Sequence, residues 1–290
     1  MIGAKSKRHI KGSKGFFITK IIVFVFFVAY SVSLIYPFIW AFLSSLKGQM
    51  EFQMNKFSLP EQWKFSNYIT AWKTLGVNGG GMLAMLWNSV WLSFFSATIA
   101  LVFQVFLSYT IARYRFFGRK ILYYTALAAL MIPIYGTLPA TYRLYSDLGL
   151  YDSPLILITN TMAFGGNFII LNAIFRGLPW SYAEAAFIDG AGHFRVFFQI
   201  MIPLAIVPVS ALFIMGIVGS WNDYMTPILF LPSYLTLPAG LYNYQIVYER
   251  LLNYPVLFAG ILLSMLPVLL LFIAAQDKMM SLTISGGLKG

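Results

Sequence analysis

The sequence predicts an all-α polytopic membrane protein with six transmembrane helices, and two observations lead to this fold class. Of the 290 residues, 59% are hydrophobic and only 10% are charged, whereas a soluble domain has roughly 45–50% apolar and about 25% charged residues. The charges also lie between long apolar runs. Because so few charged residues cannot form a water-facing exterior, the solvent around most of this chain is predicted to be lipid.

The six predicted crossings follow from the length of the charge-free stretches. A hydrocarbon layer about 30 Å thick requires roughly 20 helical residues, and seven stretches reach that length. The stretch 224–248 contains Pro227, Pro232, Pro238 and Gly240, which would leave backbone groups unpaired in lipid. It is predicted to be the exit of the fifth helix followed by an exposed or re-entrant loop. The six remaining stretches are 21–46, 82–112, 121–142, 153–175, 196–222 and 251–276.

The basic residues predict the orientation. An even number of crossings places both termini on one side of the membrane. Fourteen of the 20 basic residues lie on that side, ten of them in 1–20 and in the loop 113–120, against six on the other side. The positive-inside tendency then makes both termini cytoplasmic. The net charge of +11 is therefore interpreted as a topology signal and as headgroup contact, not as nucleic-acid binding.

These boundaries give the predicted domain organisation. Residues 1–20 form a basic cytoplasmic tail, 21–276 a six-helix transmembrane domain, and 277–290 a cytoplasmic C-terminal tail. The first apolar run is longer than a cleavable signal sequence and is predicted to be a retained helix. The membrane domain includes a cytoplasmic loop at 177–203 and an external loop at 232–250.

Several kinds of chemistry are excluded by what the sequence lacks. The chain has no cysteine and only two histidines, which argues against thiol chemistry and against a metal site. It also lacks the phosphate-binding pattern G-x-x-x-x-G-K-[ST]. If ATP drives this protein, ATP and its Mg²⁺ are bound by another subunit. No cluster of acids or histidines indicates a membrane enzyme, so the chain is predicted to be non-catalytic.

A few polar residues lie inside the predicted crossings. Asn160, Asn167 and Asn222 would line a path for a neutral hydroxylated solute or join helices by hydrogen bonds, and for any single residue we favour helix joining. Asp223 is the only acid in these helices. A cap at the end of the broken fifth helix explains Asp223 better than a proton relay does.

The cytoplasmic segment between the fourth and fifth crossings is the most informative. Pro179 suits a first helical turn, and Ser181 with Glu184 fits a capping box, so a short helix should run to about Asp189 and end at Gly190. A second helix then leads to Pro203. Two interpretations follow. The first helix is a docking helix whose alanines allow another protein's backbone to approach closely, or it is an ordinary connector in which Glu184 only caps its own helix.

The spacing of this segment resembles the EAA loop of ABC importer permease subunits. The matching residues are Glu184-Ala185-Ala186, then Gly190, and Ile200-x-Ile202-Pro203, with Ile202 where the family usually has leucine. Further segments are similar to the maltose-type second permease subunit of the carbohydrate family. They are Leu59-Pro60, Asn67-Tyr68, Asn88-Ser89, the basic turn 113–120 with Phe117 where proline is common, 131–133, 148–150, Trp221-Asn222-Asp223-Tyr224 and the glycine-rich end 282–290.

The resemblance implies a larger machine of the type I ABC importer class in a prokaryotic cell membrane. Such a permease pairs with a second, homologous permease and with two ATPase subunits that bind ATP and Mg²⁺. An extracytoplasmic solute-binding protein delivers the sugar. The residues that would then contact one ATPase are Glu184, Ala185, Ala186, Asp189 and Gly190. Nucleotide would shift the transporter from one state to the other only by the difference in free energy that it makes between them.

The resemblance also assigns roles to two peripheral segments. Tyr234, Tyr242 and Tyr244 of the external loop would contact the sugar-binding partner, or would form an aromatic belt at the outer leaflet. Gly286, Gly287 and Lys289 would reach between the ATPases, or would belong to a free terminus.

The second hypothesis is a stand-alone secondary carrier or channel for polar solutes. It would require intramembrane charges or inverted repeats, and the sequence has neither. An ABC importer permease subunit for a carbohydrate is therefore the preferred interpretation.

Overall fold

The computed structural model describes residues 14–76, 80–132, 136–159, 165–247 and 252–287, and every regular element in these ranges is a helix. This confirms the all-α class. The α-helices are α1 Lys14–Ser45, α2 Gln49–Met54, α3 Ser66–Thr74, α4 Gly81–Arg113, α5 Arg119–Met131, α6 Leu138–Asp147, α7 Ile156–Thr159, α8 Gly166–Gly177, α9 Ser181–Ile188, α10 His193–Val196, α11 Ile202–Leu204, α12 Ile206–Asn222, α13 Met225–Phe230, α14 Leu237–Val247 and α15 Tyr254–Gly287.

Three of these helices are long and apolar enough to cross a membrane. They are Phe16–Ser45 within α1, Gly81–Arg113 (α4) and Tyr254–Asp277 within α15, and they coincide with the first, second and last predicted crossings. A helix of 33 residues such as α4 is about 50 Å long at 1.5 Å per residue, which exceeds the hydrocarbon layer. The charge-free runs therefore predicted these helices correctly.

The third and fourth predicted crossings contain shorter helices. The stretch 121–142 holds α5 and the start of α6, and 153–175 holds α7 and most of α8. With 13 residues, α5 is the longest of the four, and it extends only about 20 Å. Residues 133–135 and 160–164 lie outside the described residues, so the count of six crossings stays a prediction.

The fifth predicted crossing is not one straight helix. Segments His193–Leu204 and Ile206–Asn222 meet at an angle of 79°, which gives up to four candidate spans when the bent pair counts as one. Pro208 explains the bend, because it lacks the N–H that would bond to the carbonyl of residue 204 and its ring clashes with that carbonyl. A π-helical turn, Phe197–Met201, precedes the bend.

The proline-rich stretch 224–248 is more structured than an exposed loop. It contains α13, a 3₁₀ turn at Pro232–Tyr234, and α14. Leu237, Ala239 and Leu241 of α14 are buried, so the predicted external loop 232–250 is corrected to a packed helix over most of its length. Residues 248–251 lie outside the described residues.

Two buried clusters lie at opposite ends of α4. The first, which we call the loop-side cluster, joins α3, the start of α4, α14 and α15 through residues such as Leu75, Met85 and Leu241. The second, the elbow cluster, joins the end of α4 to α8, α9 and the π turn through Tyr109, Phe175 and Phe197. Helix α4 thus connects the two sides of the molecule.

Both predicted tails overlap helices. Helix α1 starts at Lys14, within the predicted tail 1–20, and α15 continues past Gln276 as far as Gly287. The most apolar part of α1, within Phe16–Ser45, has no buried residue. Such a fully apolar exposed helix is consistent with lipid or a partner chain around it, since water would disfavour it.

Candidate functional site

The segment between α8 and α12 forms a rigid elbow, which we define as α9, the turn at Gly190 and α10. Trp180 is the N-cap of α9 and has helical backbone angles, and no side chain caps the helix. The predicted capping box of Ser181 and Glu184 is therefore wrong, because the helix starts one residue earlier than that motif requires. The carboxylate of Glu184 is left exposed.

The end of α9 is as the sequence predicted. Gly190 has a φ of +80°, the left-handed conformation that glycine adopts most readily. Its N–H donates to the carbonyl of Phe187 at 3.0 Å, and the N–H of Ala191 donates to that of Ala186 at 2.9 Å. These two bonds form a Schellman motif, which satisfies carbonyl groups at the helix end and fixes the direction of the chain.

The inner face of the elbow is packed into the elbow cluster. Ala183 and Val196 are fully buried there, against Phe175 and Met201. The rings of Tyr109 and Phe197 lie 4.7 Å apart between centroids. Because protein interiors are densely packed and transmit displacement, movement of the elbow is transferred to α4 and α8.

Polar contacts add to this attachment. The guanidinium of Arg113, at the end of α4, lies 5.1 Å from the ring centroid of Trp180 and donates to the carbonyl of Leu178. The hydroxyl of Tyr114 forms a hydrogen bond with Nδ1 of His193 at 3.0 Å. Residues on both sides of the Gly190 turn are thus held by the same helix.

The outer face of the elbow is open. Glu184, Ala185, Asp189 and Gly190 are exposed, and Ala186 is half-buried. Ile188 is 86% exposed and Phe194 75% exposed. An exposed apolar surface of this kind, bordered by two acidic residues, has the character of a contact surface for another protein.

A second feature is a cavity of about 720 Å³ between α12, α14 and α15. Its lining is mostly apolar and includes the polar residues Asn222, Tyr224, Tyr242, Gln245 and Ser264. The rings of Tyr224 and Tyr242 lie 4.7 Å apart between centroids. An apolar pocket with a few polar groups is the usual form of a small-molecule site.

The predicted path residues fall in different places. Asn222 lines the cavity, whereas Asp223 accepts a hydrogen bond from the N–H of Thr226 at 3.0 Å and so caps the start of α13. The side chain of Asp223 therefore contacts the first turn of α13, the helix after the predicted fifth crossing, and does not line the cavity. Asn167 is half-buried on α8, outside the cavity wall, and Asn160 lies outside the described residues.

The three tyrosines of the predicted external loop have different surroundings. Tyr242 lies at the cavity wall, Tyr234 is half-buried with its ring edge against Trp91 at 5.8 Å between centroids, and Tyr244 packs against the loop-side cluster. Of the tail residues, Gly286 and Gly287 form the end of α15, and Lys289 lies outside the described residues.

The sequence analysis named Tyr224 and the pair Asn88-Ser89 only as parts of family-like segments, and it predicted neither the place of Tyr224 at the cavity nor the role of the pair in positioning α14. The hydroxyl of Ser89 accepts a hydrogen bond from the N–H of Leu237 at 2.7 Å, and the side-chain amide of Asn88 donates to the carbonyl of Leu235 at 3.2 Å. These bonds bring α14 to the cavity. A polar pair at the start of an apolar helix was the available signal, but its partner lies about 150 residues away in the sequence.

The chain is similar in sequence to known membrane transport proteins. Residues 104–278 match a model of the family described as "Binding-protein-dependent transport system inner membrane component". The diacetylchitobiose uptake system permease protein NgcG of Streptomyces coelicolor is 32% identical, covering 87% of this chain and 83% of that protein. The arabinooligosaccharides transport system permease protein AraQ of Bacillus subtilis is 29% identical, covering 97% of this chain and 100% of that protein.

A solved structure shares the fold. It is a chain of a bacterial ABC transporter involved in the import of the acidic polysaccharide alginate, with a TM-score of 0.77 and 23% sequence identity. The match covers 91% of this chain and 98% of that chain.

Proposed function

We propose that this chain, which belongs to the binding-protein-dependent transport system inner membrane component family, is a non-catalytic permease subunit of an ABC importer for a sugar or oligosaccharide. The proposal rests on the relatives, since the proteins named above take up diacetylchitobiose and arabinooligosaccharides. In this proposal, the chain forms half of the translocation path.

The complete importer contains other chains. A second, homologous permease supplies the other half of the path, two ATPase subunits bind ATP and Mg²⁺, and an extracytoplasmic solute-binding protein delivers the sugar. The chain crosses a bacterial cell membrane six times with both termini in the cytoplasm. The excess of basic residues on one side supports this orientation.

The observation that carries the proposal at the level of mechanism is the two-sided elbow. Its inner face is buried with Phe175 and Phe197, while Glu184, Asp189 and Ile188 on its outer face are exposed. We assign the outer face, with Ala185, Ala186 and Gly190, to an ATPase subunit. Because nucleotide shifts the transporter only by differential contact with its two states, a rigidly attached elbow suits this role.

The remaining assignments follow the same logic. Asn222 and Tyr242 belong to the solute path, because an amide and a tyrosine on the wall of a cavity suit a hydroxylated ligand. Tyr234, in the 3₁₀ turn, and Tyr244, in α14, belong to the segment that we assign to contact with the binding protein. The end of α15, at Gly286 and Gly287, with Lys289 beyond it, contacts the ATPases.

Reversal of one charge on the elbow tests the proposal. Glu184→Lys should abolish coupling in the assembled importer, so that uptake falls at least tenfold while the chain still inserts in the membrane. Glu61→Lys is the matched control, since Glu61 is also exposed but lies between α2 and α3, outside the elbow. Normal ATP-driven uptake by Glu184→Lys would overturn the elbow assignment. Uptake by the chain alone in liposomes, driven by an ion gradient without ATP, would overturn the importer.

A further inference from the structure

A basic cleft lies where the start of α5 meets the end of α8. It has a volume of about 390 Å³ and is lined by Arg119, Lys120, Tyr123 and Tyr124 of α5 and by Arg176 of α8. Three of these five residues are cations and none is acidic. The cleft shares no lining residue with the cavity between α12 and α15 or with the outer face of the elbow.

The cations of the cleft are not neutralised by carboxylates. Within the described part of the chain, the only ion pair joins Arg143 to Asp147, both on α6 and outside the cleft. The guanidinium of Arg176 instead lies 4.8 Å from the ring centroid of Tyr123, and Arg119 donates to the carbonyl of Ala112 at 3.3 Å. A guanidinium placed on an aromatic ring keeps its edge N–H groups available for an anion. The complementary ligand is therefore anionic, with phosphate as the group that arginine binds best.

The surroundings of the cleft are apolar, and this favours a phospholipid headgroup over a soluble phosphate as the ligand. Phe117, immediately before α5, is fully exposed. Ile121 and Tyr124 are 66% and 63% exposed. A soluble phosphate would gain nothing from these side chains, whereas a lipid places its headgroup beside hydrocarbon at the same depth. Tyrosine and basic residues together are also typical of the membrane interface.

We propose that this cleft binds the headgroup of an anionic phospholipid, with the phosphodiester between Arg119, Lys120 and Arg176 and the acyl chains along the exposed apolar side of α5. The lipid then bridges α5 and α8. Because α8 ends at Gly177, four residues before α9 begins, the bound lipid also stabilises the position from which the elbow starts. The proposal does not depend on which solute the protein transports.

The experiment measures lipid retention by the purified full-length chain in detergent, using native mass spectrometry with phosphatidylglycerol and phosphatidylcholine supplied in equal amounts. The wild-type chain should retain phosphatidylglycerol preferentially. A triple variant, Arg119→Gln with Lys120→Gln and Arg176→Gln, should bind it about 100-fold more weakly, at about fivefold for each cation removed. Equal retention of the two lipids by the wild-type chain would overturn the proposal.

The matched control removes the same charge elsewhere. Lys56→Gln with Lys64→Gln and Lys73→Gln takes three exposed cations from the segment between α1 and α4, and this variant should retain phosphatidylglycerol as the wild type does. A second variant, Arg119→Lys with Arg176→Lys, keeps all three positive charges of the cleft. It should retain most of the phosphatidylglycerol that the triple Gln variant loses. The cleft assignment would be contradicted if the cleft triple variant retained as much phosphatidylglycerol as the Lys56, Lys64 and Lys73 control does.

Two further arms separate a lipid from a soluble phosphate. Phe117→Ser should weaken retention of phosphatidylglycerol without changing any binding of inorganic phosphate or glycerol phosphate. Millimolar inorganic phosphate should compete only weakly with the lipid. Full displacement by inorganic phosphate, with no effect of Phe117→Ser, would show a soluble-anion site and would overturn the lipid proposal.

Discussion

At the residue scale, Gly190 is where backbone conformation matters most to the elbow. A Cβ added there meets no atom within 4 Å, but its φ of +80° is unfavourable for other L-residues. We therefore expect Gly190→Ala to destabilise the chain by about 1 kcal/mol, and Gly190→Asn by less because asparagine tolerates this region. Thermal unfolding of the purified chain measures both. If alanine is as stable as glycine, the turn does not hold the conformation described.

Asn172 is the second residue whose role the structure decides. It is buried, and its side-chain amide donates to the carbonyl of Ser108 at 3.1 Å, so it joins α8 to α4. We expect Asn172→Ala to lower stability by about 1 kcal/mol, the usual magnitude for hydrogen bonds between membrane helices. Asn222→Ala is the control, since the amide of Asn222 is exposed and bonds within its own helix to Val218. Equal destabilisation by the two variants would contradict the helix-joining role.

At the element scale, one hydroxyl of α4 accepts a hydrogen bond from the first residue of α14. Ser89→Ala would leave the buried N–H of Leu237 unpaired, at a cost of about 1–3 kcal/mol. We expect faster hydrogen exchange of the α14 amides and a lower unfolding temperature. Ser93→Ala is the matched control, because Ser93 is equally buried and its hydroxyl bonds only to carbonyls of α4. Unchanged exchange in Ser89→Ala would show that α14 is held by packing alone.

The close approach of α14 to α4 supports the same conclusion. A Cβ at Gly240 would lie 1.9 Å from the sulfur of Met85, which is far inside van der Waals contact, so Gly240 permits the two helices to meet. Packing at Gly240 and the hydrogen bond at Ser89 thus act together to bury a segment whose prolines suggested a loop.

At the scale of the whole molecule, the loop-side cluster and the elbow cluster lie at opposite ends of α4, which is long and apolar enough to cross a membrane. We therefore expect Glu61 and the elbow to face opposite sides of the membrane. The chain has no cysteine, so single introduced cysteines report accessibility without background. We expect a membrane-impermeant maleimide to label Glu61→Cys in intact cells, and Asp189→Cys and Phe117→Cys only after the membrane is opened. Labelling of Glu61→Cys and Asp189→Cys from the same side would contradict the transmembrane arrangement of α4.

The limits of prediction are visible in particular elements. The charge-free runs located α1, α4 and α15 because a long helix in lipid needs only continuous apolar composition. In the third to fifth predicted crossings the described helices are shorter or bent, because the criterion ignored helix breakers such as Gly136, Pro203 and Pro208. The end of α9 at Gly190 was predicted from local rules, whereas its start was misassigned by one residue, since Trp180 is held by Arg113 of a distant helix.

By itself the sequence determined the solvent, the helical class, the distribution of charge and the position of the elbow, because these depend on composition and on residues close together in the chain. Only the tertiary structure decided that α14 is buried, that Asn222 lines a cavity, and that Arg176 meets Arg119 and Lys120 in one cleft. These features depend on contacts between residues from separate helices, such as Ser89 with Leu237. No local pattern specifies which distant partner completes such a contact.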